Sequence, residues 1–168
     1  LTADLVQASE QISLDLDQRL KVSRVEITGP KGQDSARTEF RHEEGVLHIP
    51  VLGVEAGQQF RVTVHYGGKP REAPRPPWDG GFTWSRTQDG SFWIATTCQG
   101  EGADVWWPCK DHPSDEPDSM DLHITVPDPL VVAANGRLVG TQPAEPGWTA
   151  HHWHVSTPIN NYGVALNI

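Results

Sequence analysis

The chain has 168 residues, which suffices for one domain with a hydrophobic core and is too short for two domains of ordinary size. Its apolar share of 36% and its seven tryptophans are typical of a folded protein, whereas disordered chains contain few aromatic residues. The formal net charge of -9 argues against nucleic acid or an anionic membrane surface as a partner, because both require clustered Lys and Arg. No run of about 18 apolar residues exists, so the sequence predicts no membrane-spanning segment.

The cysteines and the first residue bear on redox state and compartment. Cys98 and Cys109 are too few to cross-link a domain of this size, so we expect two buried free thiols. The chain begins at Leu1 with neither an initiator methionine nor a signal peptide, as a processed form or a cloned fragment would. We interpret it as a fragment, and its compartment stays undetermined.

Alternating apolar and polar residues predict β-strands from the start of the chain. Ile12, Leu14 and Leu16 share one face of a half-buried strand. The next strand changes phase between residues 20–22 and residues 25–27, as a bulge or a bend would produce. Further alternating segments span residues 60–66, 122–126 and 162–166, and Pro127 ends the second of these because proline cannot donate to a ladder.

Turn signals separate these strands at intervals that suit hairpins: Thr28-Gly29-Pro30, Glu44-Gly45, Gly67-Gly68, Asp89-Gly90, Asn135-Gly136 and Pro146-Gly147. Residues 69–81 contain four prolines and predict a long surface loop rather than a central strand. No stretch beyond position 10 sustains the 3.6-residue period of a helix. These patterns predict a single all-β domain over residues 1–168, built as an antiparallel β-sandwich.

The sequence lacks the usual motifs of metal and nucleophile chemistry. The segment that begins at His42 approaches the H-E-x-x-H zinc motif, but Val46 stands where the second His is needed and Gly45 interrupts a helix. No G-x-S-x-G, P-loop or Gly-rich dinucleotide turn is present. We therefore expect no catalytic residue and no metal ligand in this chain.

Two polar clusters are interpreted as solvated surface. On a strand, His152 and His154 share one face while His151 lies on the other, and two imidazoles without a nearby acid or thiolate make a weak metal site. Four acids crowd a proline-containing loop but lack the Gly and the final Glu of a calcium-binding EF-hand loop. These acids, interpreted as solvated turn residues, are Asp111, Asp115, Glu116 and Asp118.

The tryptophans support a second hypothesis, because exposed aromatic residues on a β-sandwich can stack on sugars. Trp78, in the proline-rich loop, is the best candidate for an exposed ring. Trp84 and Trp93 lie on strand-like segments and Trp106-Trp107 precede a proline, so we expect most of the tryptophans to pack in the core or against loops. The alternative function is a free-standing carbohydrate-binding or adhesive module.

Residues 98–113 read CQGEGADVWWPCKDHP and resemble the N-terminal domain of the aminopeptidase N and leukotriene hydrolase family of zinc aminopeptidases. The resemblance continues through the strand that ends at Pro127, through ANGRL at residues 134–138, and through PINNY at residues 158–162. The segment 14–25 is similar to an early hairpin of the same domain. The resemblance therefore covers nearly the whole chain, and the first strands of that domain are expected to precede Leu1.

The resemblance implies a β-sandwich with saddle-like sheets, truncated at its N-terminus, that caps the substrate cleft of a larger enzyme. The zinc ligands and the general base would follow Ile168, so no cofactor is expected in this chain, and zinc is expected in the missing catalytic domain. The isolated chain is expected to be inactive, while its parent would hydrolyse N-terminal residues from peptides. The expected partners are the protein's own catalytic domain and the N-terminus of a peptide substrate.

The resemblance also assigns one residue to the cleft. The family has a Gln or Glu just after the strand that leads into the CQGEG segment, and here that position is Gln99. The resemblance implies that Gln99 helps to bind the free α-amino group of the peptide, whose N–H donors need carbonyl or carboxylate acceptors. The alternative is a loop amide that bonds only to the backbone.

The chain departs from the family pattern at two positions near Gln99. Thr97 stands where the family often has Gln, and Asp104 stands where many relatives have Arg, so neither a second amide contact nor an ion pair of that Arg is carried over. Residues 108–113 are expected to be structural, with Asp111 accepting hydrogen bonds from N–H groups of the turn.

Overall fold

The computed structural model describes residues 1–29, 36–51 and 53–168, and no α-helix lies in these ranges. The described residues form β-strands and two 3₁₀ helices, Ala103–Val105 and Asn161–Gly163. The strands are β1 (Thr2–Asp4), β2 (Gln11–Asp15), β3 (Lys21–Thr28), β4 (Ala36–Thr38), β5 (Arg41–Glu43), β6 (Val46–Pro50), β7 (Gln59–Gly67), β8 (Gly81–Arg86), β9 (Phe92–Thr97), β10 (Met120–Pro127), β11 (Ala133–Ala134), β12 (Arg137–Pro143), β13 (Trp148–Val155) and β14 (Leu166–Asn167). The strands pair antiparallel, which confirms the predicted all-β class.

The residues group into two compact units, each with two sheets. Unit 1 comprises Leu1–Pro70 and Trp106–Lys110, and unit 2 comprises Arg71–Val105 and Asp111–Ile168. Unit 1 contains the sheets β1-β7-β3-β4 and β2-β6-β5, whereas unit 2 contains β10-β13-β12 and β11-β14-β9-β8. That residues 1–168 form one domain stays a prediction.

The core of unit 1 lies between its two sheets, because both contribute inward-facing apolar side chains. Leu14, Leu47 and Ile49 come from the three-stranded sheet, and Val25 and Val62 come from the four-stranded sheet; all five are almost completely buried. Burying a side chain of this size stabilises the fold by about 1.5–3 kcal/mol. The alternation that predicted the strands of Leu14, Val25 and Val62 therefore builds part of the core, while Leu47 and Ile49 come from β6, which was not among the predicted strands.

The segment Trp106–Lys110 belongs to unit 1 because backbone and side-chain hydrogen bonds attach it there. The N–H of Cys109 donates to the carbonyl of Asp15 at 3.2 Å, and the N–H of Asp15 donates to the carbonyl of Cys109 at 2.7 Å. The hydroxyl of Tyr66 donates to the carbonyl of Trp106 at 2.9 Å. Tyr66, at the end of β7, is thus hydrogen-bonded to Trp106, which follows it by 40 residues in the sequence.

Unit 2 contains the longest ladder with a polar face. β10 pairs with β13 from Met120↔Val155 to Pro127↔Trp148, and β12 pairs with the other edge of β13. The buried apolar side chains of unit 2 include Ile94, Val126, Val132, Val155, Val164 and Leu166.

Most of the strand predictions are confirmed in detail. The phase change in the second predicted strand corresponds to a register shift between Val22 and Arg24 in the pairing of β3 with β7. β10 ends at Pro127, and the proline-rich segment leads into β8 at Gly81. Of the predicted turns, the one at residues 28–30 extends to Pro30, which lies outside the described residues. No helix among the described residues has the length and apolarity needed to cross a bilayer.

The strand predicted over residues 162–166 is wrong for its first half. Asn161–Gly163 forms a 3₁₀ helix, and only Leu166–Asn167 pairs as a strand. The reason is a local cap: the side chain of Asn160 accepts a hydrogen bond from the N–H of Tyr162 at 3.0 Å. Asn favours such local hydrogen bonds over strand pairing. The cap at Asn160 therefore prevailed over the apolar alternation that predicted a strand.

We expect Gly136→Ala to destabilise the protein more than Gly147→Ala does. Both glycines have positive φ, +85° and +81°, where a side chain costs about 1–2 kcal/mol. A Cβ at Gly136 would also lie 2.2 Å from the carbonyl oxygen of His154, whereas a Cβ at Gly147 meets no atom within 4 Å. Urea unfolding should show a further loss of at least about 1 kcal/mol for Gly136→Ala. Equal losses would contradict the close approach.

Candidate functional site

A tight turn after β9 presents Gln99 to solvent. Cys98 follows the strand and is buried, with 3% of its surface exposed, while Gln99 is exposed. The carbonyl of Cys98 accepts hydrogen bonds from the N–H groups of Glu101 at 3.1 Å and of Gly102 at 2.9 Å. The chain therefore reverses immediately after Gln99, and Gly100 adopts the positive φ of 71° that the reversal needs.

The side chain of Gln99 bonds to another side chain. Its Oε1 accepts a hydrogen bond from the hydroxyl of Tyr162. Tyr162 belongs to the 3₁₀ helix Asn161–Gly163, where Asn160 caps its N–H. Gln99 and Tyr162 are 63 residues apart in the sequence. Their contact joins two of the segments that carried the family resemblance, the one that begins at Cys98 and residues 158–162.

The proline-bounded segment after the turn is held by its polar side chains. The Oδ1 of Asp111 accepts the N–H of Ala103 at 2.9 Å, as predicted. Asn160 donates through Nδ2 to the carbonyl of Pro113 at 3.2 Å and to Oε1 of Glu116 at 3.3 Å. Residues 111–116 therefore support both the turn and the helix that carries Tyr162.

Negative charge surrounds the base of the turn. Burial, together with the smaller effects of the Asp111 and Asp104 carboxylates, raises the pKa of the Cys98 thiol to about 11. The thiol is therefore protonated at neutral pH and is not a nucleophile. Both cysteines are free and buried, as predicted.

One acid of the turn is neutralised by an ion pair. Nη2 of Arg71 lies 2.8 Å from Oε1 of Glu101, and Nε of Arg71 donates to the carbonyl of Gly80 at 3.0 Å. Arg71 thereby joins the end of the proline-rich loop to the turn. The acid near the neutral amide of Gln99 is Glu101, whose charge is paired with Arg71. The exposed acceptor at the tip is thus the Gln99 side chain.

The segment that approached a zinc-peptidase motif has a structural role. His42 lies on β5, and its Nε2 is 2.8 Å from the carbonyl of Leu16. A strand cannot present two histidines one helical turn apart.

The histidines of β13 have an acidic neighbour that the sequence did not indicate. His152 and His154 share a face as predicted, and Oδ1 of Asp121 lies 2.7 Å from Nε2 of His152 and 2.9 Å from Nδ1 of His154. His151 lies on the other face and is buried. The premise that these imidazoles lack a nearby acid is therefore wrong, because β10 brings Asp121 to them from 31 residues away. The alternation of residues 121–126 predicted the strand that carries Asp121. It did not predict that this strand pairs with the strand that carries the histidines.

The tryptophans of the β8–β9 hairpin are more exposed than predicted. Trp78 is 76% exposed, which agrees with its place in the loop. Trp84 and Trp93 lie on β8 and β9 but are 54% and 53% exposed, so these two do not follow the expectation that most of the tryptophans pack in the core or against loops. β8 is an edge strand, and Trp84 stacks on Phe82, with ring centroids 5.7 Å apart.

Comparison with known structures identifies the same fold in one group of enzymes. An M1 zinc metallopeptidase from Deinococcus radiodurans is similar to this chain, with a TM-score of 0.80 at 21% identity. A mutant of the same enzyme bound to a Tyr-Ser-Ala substrate has a TM-score of 0.79 at 22% identity, and a two-domain M1 zinc metallopeptidase mutant bound to L-arginine has a TM-score of 0.80 at 21% identity. Each match covers 99% of this chain but only 35–36% of the solved chain.

None of the curated proteins matches the chain. The Peptidase M1 N-terminal domain family matches residues 1–162. Nearly the whole sequence is therefore accounted for by one family, whose fold agrees with the sheets described above. The chain belongs to the Peptidase M1 N-terminal domain family.

Proposed function

We propose that this chain is the non-catalytic N-terminal domain of a zinc metallo-aminopeptidase, where it forms one wall of the substrate cleft and binds the free α-amine of the peptide through Gln99. Family membership over residues 1–162 supports the general role. The observation that carries the specific role is the exposed amide of Gln99, oriented by the hydroxyl of Tyr162 at the tip of a rigid turn.

The chemistry of the amide suits an ammonium group. An α-ammonium presents three N–H donors and needs acceptors for them, and a carbonyl oxygen has two lone pairs. Tyr162 uses one lone pair of Gln99 Oε1, which leaves the other for the ligand.

Anchoring the amine selects the bond that is cleaved. If the N-terminus of a peptide is held at a fixed point, only its first peptide bond reaches the catalytic groups at the right distance. The zinc of such an enzyme would polarise that bond and activate water. This chain does not contain the H-E-x-x-H ligands for that metal, which we expect in the remainder of a longer protein.

The exposed aromatic hairpin supports a domain partner. Trp84 and Phe92 are each more than half exposed, and they share one face of the β8–β9 hairpin because Trp84 is opposite Ile94 and Phe92 lies two residues before Ile94. Apolar rings clustered on a surface commonly mark interaction sites. The chain spans about a third of the length of the solved structures that it matches. We infer that the catalytic domain of the same protein covers this hairpin.

A carbohydrate-binding module is the second candidate, favoured by the 76% exposure of Trp78. An exposed indole is a suitable platform for a sugar ring. A glycan-array signal that disappears in Trp78→Ala would favour this alternative. Absence of any glycan signal would favour a tryptophan that packs against the catalytic domain.

We expect the purified chain of 168 residues to release no product from an amino-acid p-nitroanilide. The chain offers no H-E-x-x-H motif, and the buried thiol of Cys98 is protonated, so neither can activate water or attack a carbonyl. Absorbance of the released aniline measures this directly, with the enzyme that includes the catalytic part as positive control. Turnover by the chain alone would contradict the proposal that this domain is non-catalytic.

In the enzyme that contains this domain, we expect Gln99→Ala to lower kcat/KM for free-amine peptides. The loss of a hydrogen bond to a charged group costs about 1–3 kcal/mol, roughly 5- to 150-fold. Gln99→Glu, which restores an acceptor and adds charge, should retain or improve binding of the amine. The matched control is Gln7→Ala, an exposed glutamine of unit 1. Unchanged kinetics in Gln99→Ala would make Gln99 a bystander.

Tyr162→Phe should lower kcat/KM by a smaller factor, because it removes the group that orients Gln99 and leaves the acceptor in place. We expect about 0.5–1.5 kcal/mol, the net value of one hydrogen bond. In a Gln99→Ala background the same substitution should have little further effect, since the two side chains act as a pair. Fully additive losses in this double-mutant cycle would show that Tyr162 acts independently of Gln99.

A further inference from the structure

The pairing of β10 with β13 assembles four polar side chains on one face of a sheet. Asp121 is directly opposite His154, and His123 is directly opposite His152. Opposite residues of an antiparallel pair lie on the same face with Cβ atoms about 4.5–5.5 Å apart. Residues two apart on one strand also share that face, so the four side chains form two adjacent rungs of the ladder.

The contacts within this group, called here the His–Asp cluster (Asp121, His123, His152 and His154), are mutual. The rings of His123 and His152 stack with centroids 4.1 Å apart and planes inclined by 17°. Oδ1 of Asp121 lies 2.7 Å from Nε2 of His152 and 2.9 Å from Nδ1 of His154. One ligand atom from each of Asp121, His123 and His152 lies within 4.8 Å of the others.

This spacing is close to that of a tetrahedral zinc site. With metal–ligand bonds of about 2.0–2.2 Å, ligand atoms in a tetrahedron lie about 3.3–3.5 Å apart. To bind one ion, the stacked rings of His123 and His152 would rotate so that their in-plane nitrogen lone pairs converge on it. Two imidazoles and one carboxylate suit Zn²⁺, whereas Ca²⁺ and Mg²⁺ require mainly oxygen ligands.

The fourth member has a different place in the cluster. His154 bonds to the same carboxylate oxygen as His152, and on its other side it is paired in register with Arg137 of β12. The positive charge of Arg137 disfavours the binding of Zn²⁺ by His154. Its contact with Asp121 instead orients the carboxylate, as the outer partners of metal ligands commonly do.

We propose that Asp121, His123 and His152 form a Zn²⁺ site on the face of the β10–β13 ladder, with His154 as the residue that positions Asp121. The three ligands come from two strands, so the ion would fasten β10 to β13. Its fourth coordination position faces solvent, since Asp121 and His123 are exposed and His152 is half-buried. The site is independent of the aminopeptidase proposal and replaces the expectation that this chain has no metal ligand.

The test is a calorimetric titration of the chelator-treated chain with ZnCl₂. We expect saturable binding of one Zn²⁺ per chain, and on binding the side-chain ¹⁵N signals of His123 and His152 should shift while that of His65 does not. His123→Phe should abolish this binding and keep a ring that can stack on His152, so the fold is preserved. His154→Ala should weaken binding by roughly 10- to 100-fold, the usual effect of removing an outer partner.

The matched control is His65→Ala, which removes a histidine of unit 1 whose Nε2 lies 4.0 Å from Oε2 of Glu26. This variant should bind Zn²⁺ like the unmodified chain, because a single His–carboxylate pair offers too few ligands. Asp121→Asn tests the carboxylate without changing its size and should weaken binding. No saturable binding, or equal binding in His123→Phe and in the unmodified chain, would overturn the proposal, since any zinc would then be held adventitiously elsewhere.

Discussion

The carbonyl oxygen of Cys98 accepts two successive backbone N–H groups, and the position of Gln99 depends on this reversal. Gly102 makes it possible, because its φ is +102° and a Cβ there would lie 2.1 Å from Oδ2 of Asp111. Only glycine therefore lets the carboxylate approach closely enough to accept the N–H of Ala103. The turn is rigid because its backbone groups are bonded, and a rigid turn is what a residue that must hold a ligand at a fixed point requires.

A second constraint acts on the side chain of Gln99 through a distant segment. Asn160 bonds to the loop at residues 113–116 and also caps the 3₁₀ helix, so the helix is fixed to the same loop that supports the turn. Tyr162 then reaches Gln99 from this helix. Residues 98–105, 111–113 and 158–162, which carry part of the family resemblance, are thus joined by one network of hydrogen bonds within unit 2.

The sequence predicted those features that depend on local alternation and failed where register or long-range pairing decides. The strands β2, β3, β7 and β10 were predicted from period-two patterns, and even the bulge near Val22 was readable, because a phase change lies within one strand. Asp121 was not associated with His152, since strand order is set by packing of whole sheets and not by residues along one strand. The exposure of Trp84 and Trp93 was missed for a related reason: an apolar residue on a strand resembles a core residue until it is known whether another sheet covers that face of the strand.

The two proposed sites share a property that separates them from the structural polar groups of unit 2. Asn135, Asn161 and Asp111 bond to backbone groups, and replacing such a bond would leave a main-chain donor or acceptor unsatisfied. Gln99 and the His–Asp cluster bond to other side chains at the surface, a minority class of protein hydrogen bonds. A ligand can replace or share these bonds without breaking a ladder or a turn. Asn135, Asn161 and Asp111 therefore serve the fold through bonds to the main chain, while Gln99 and the His–Asp cluster are presented to solvent with side chains as their partners.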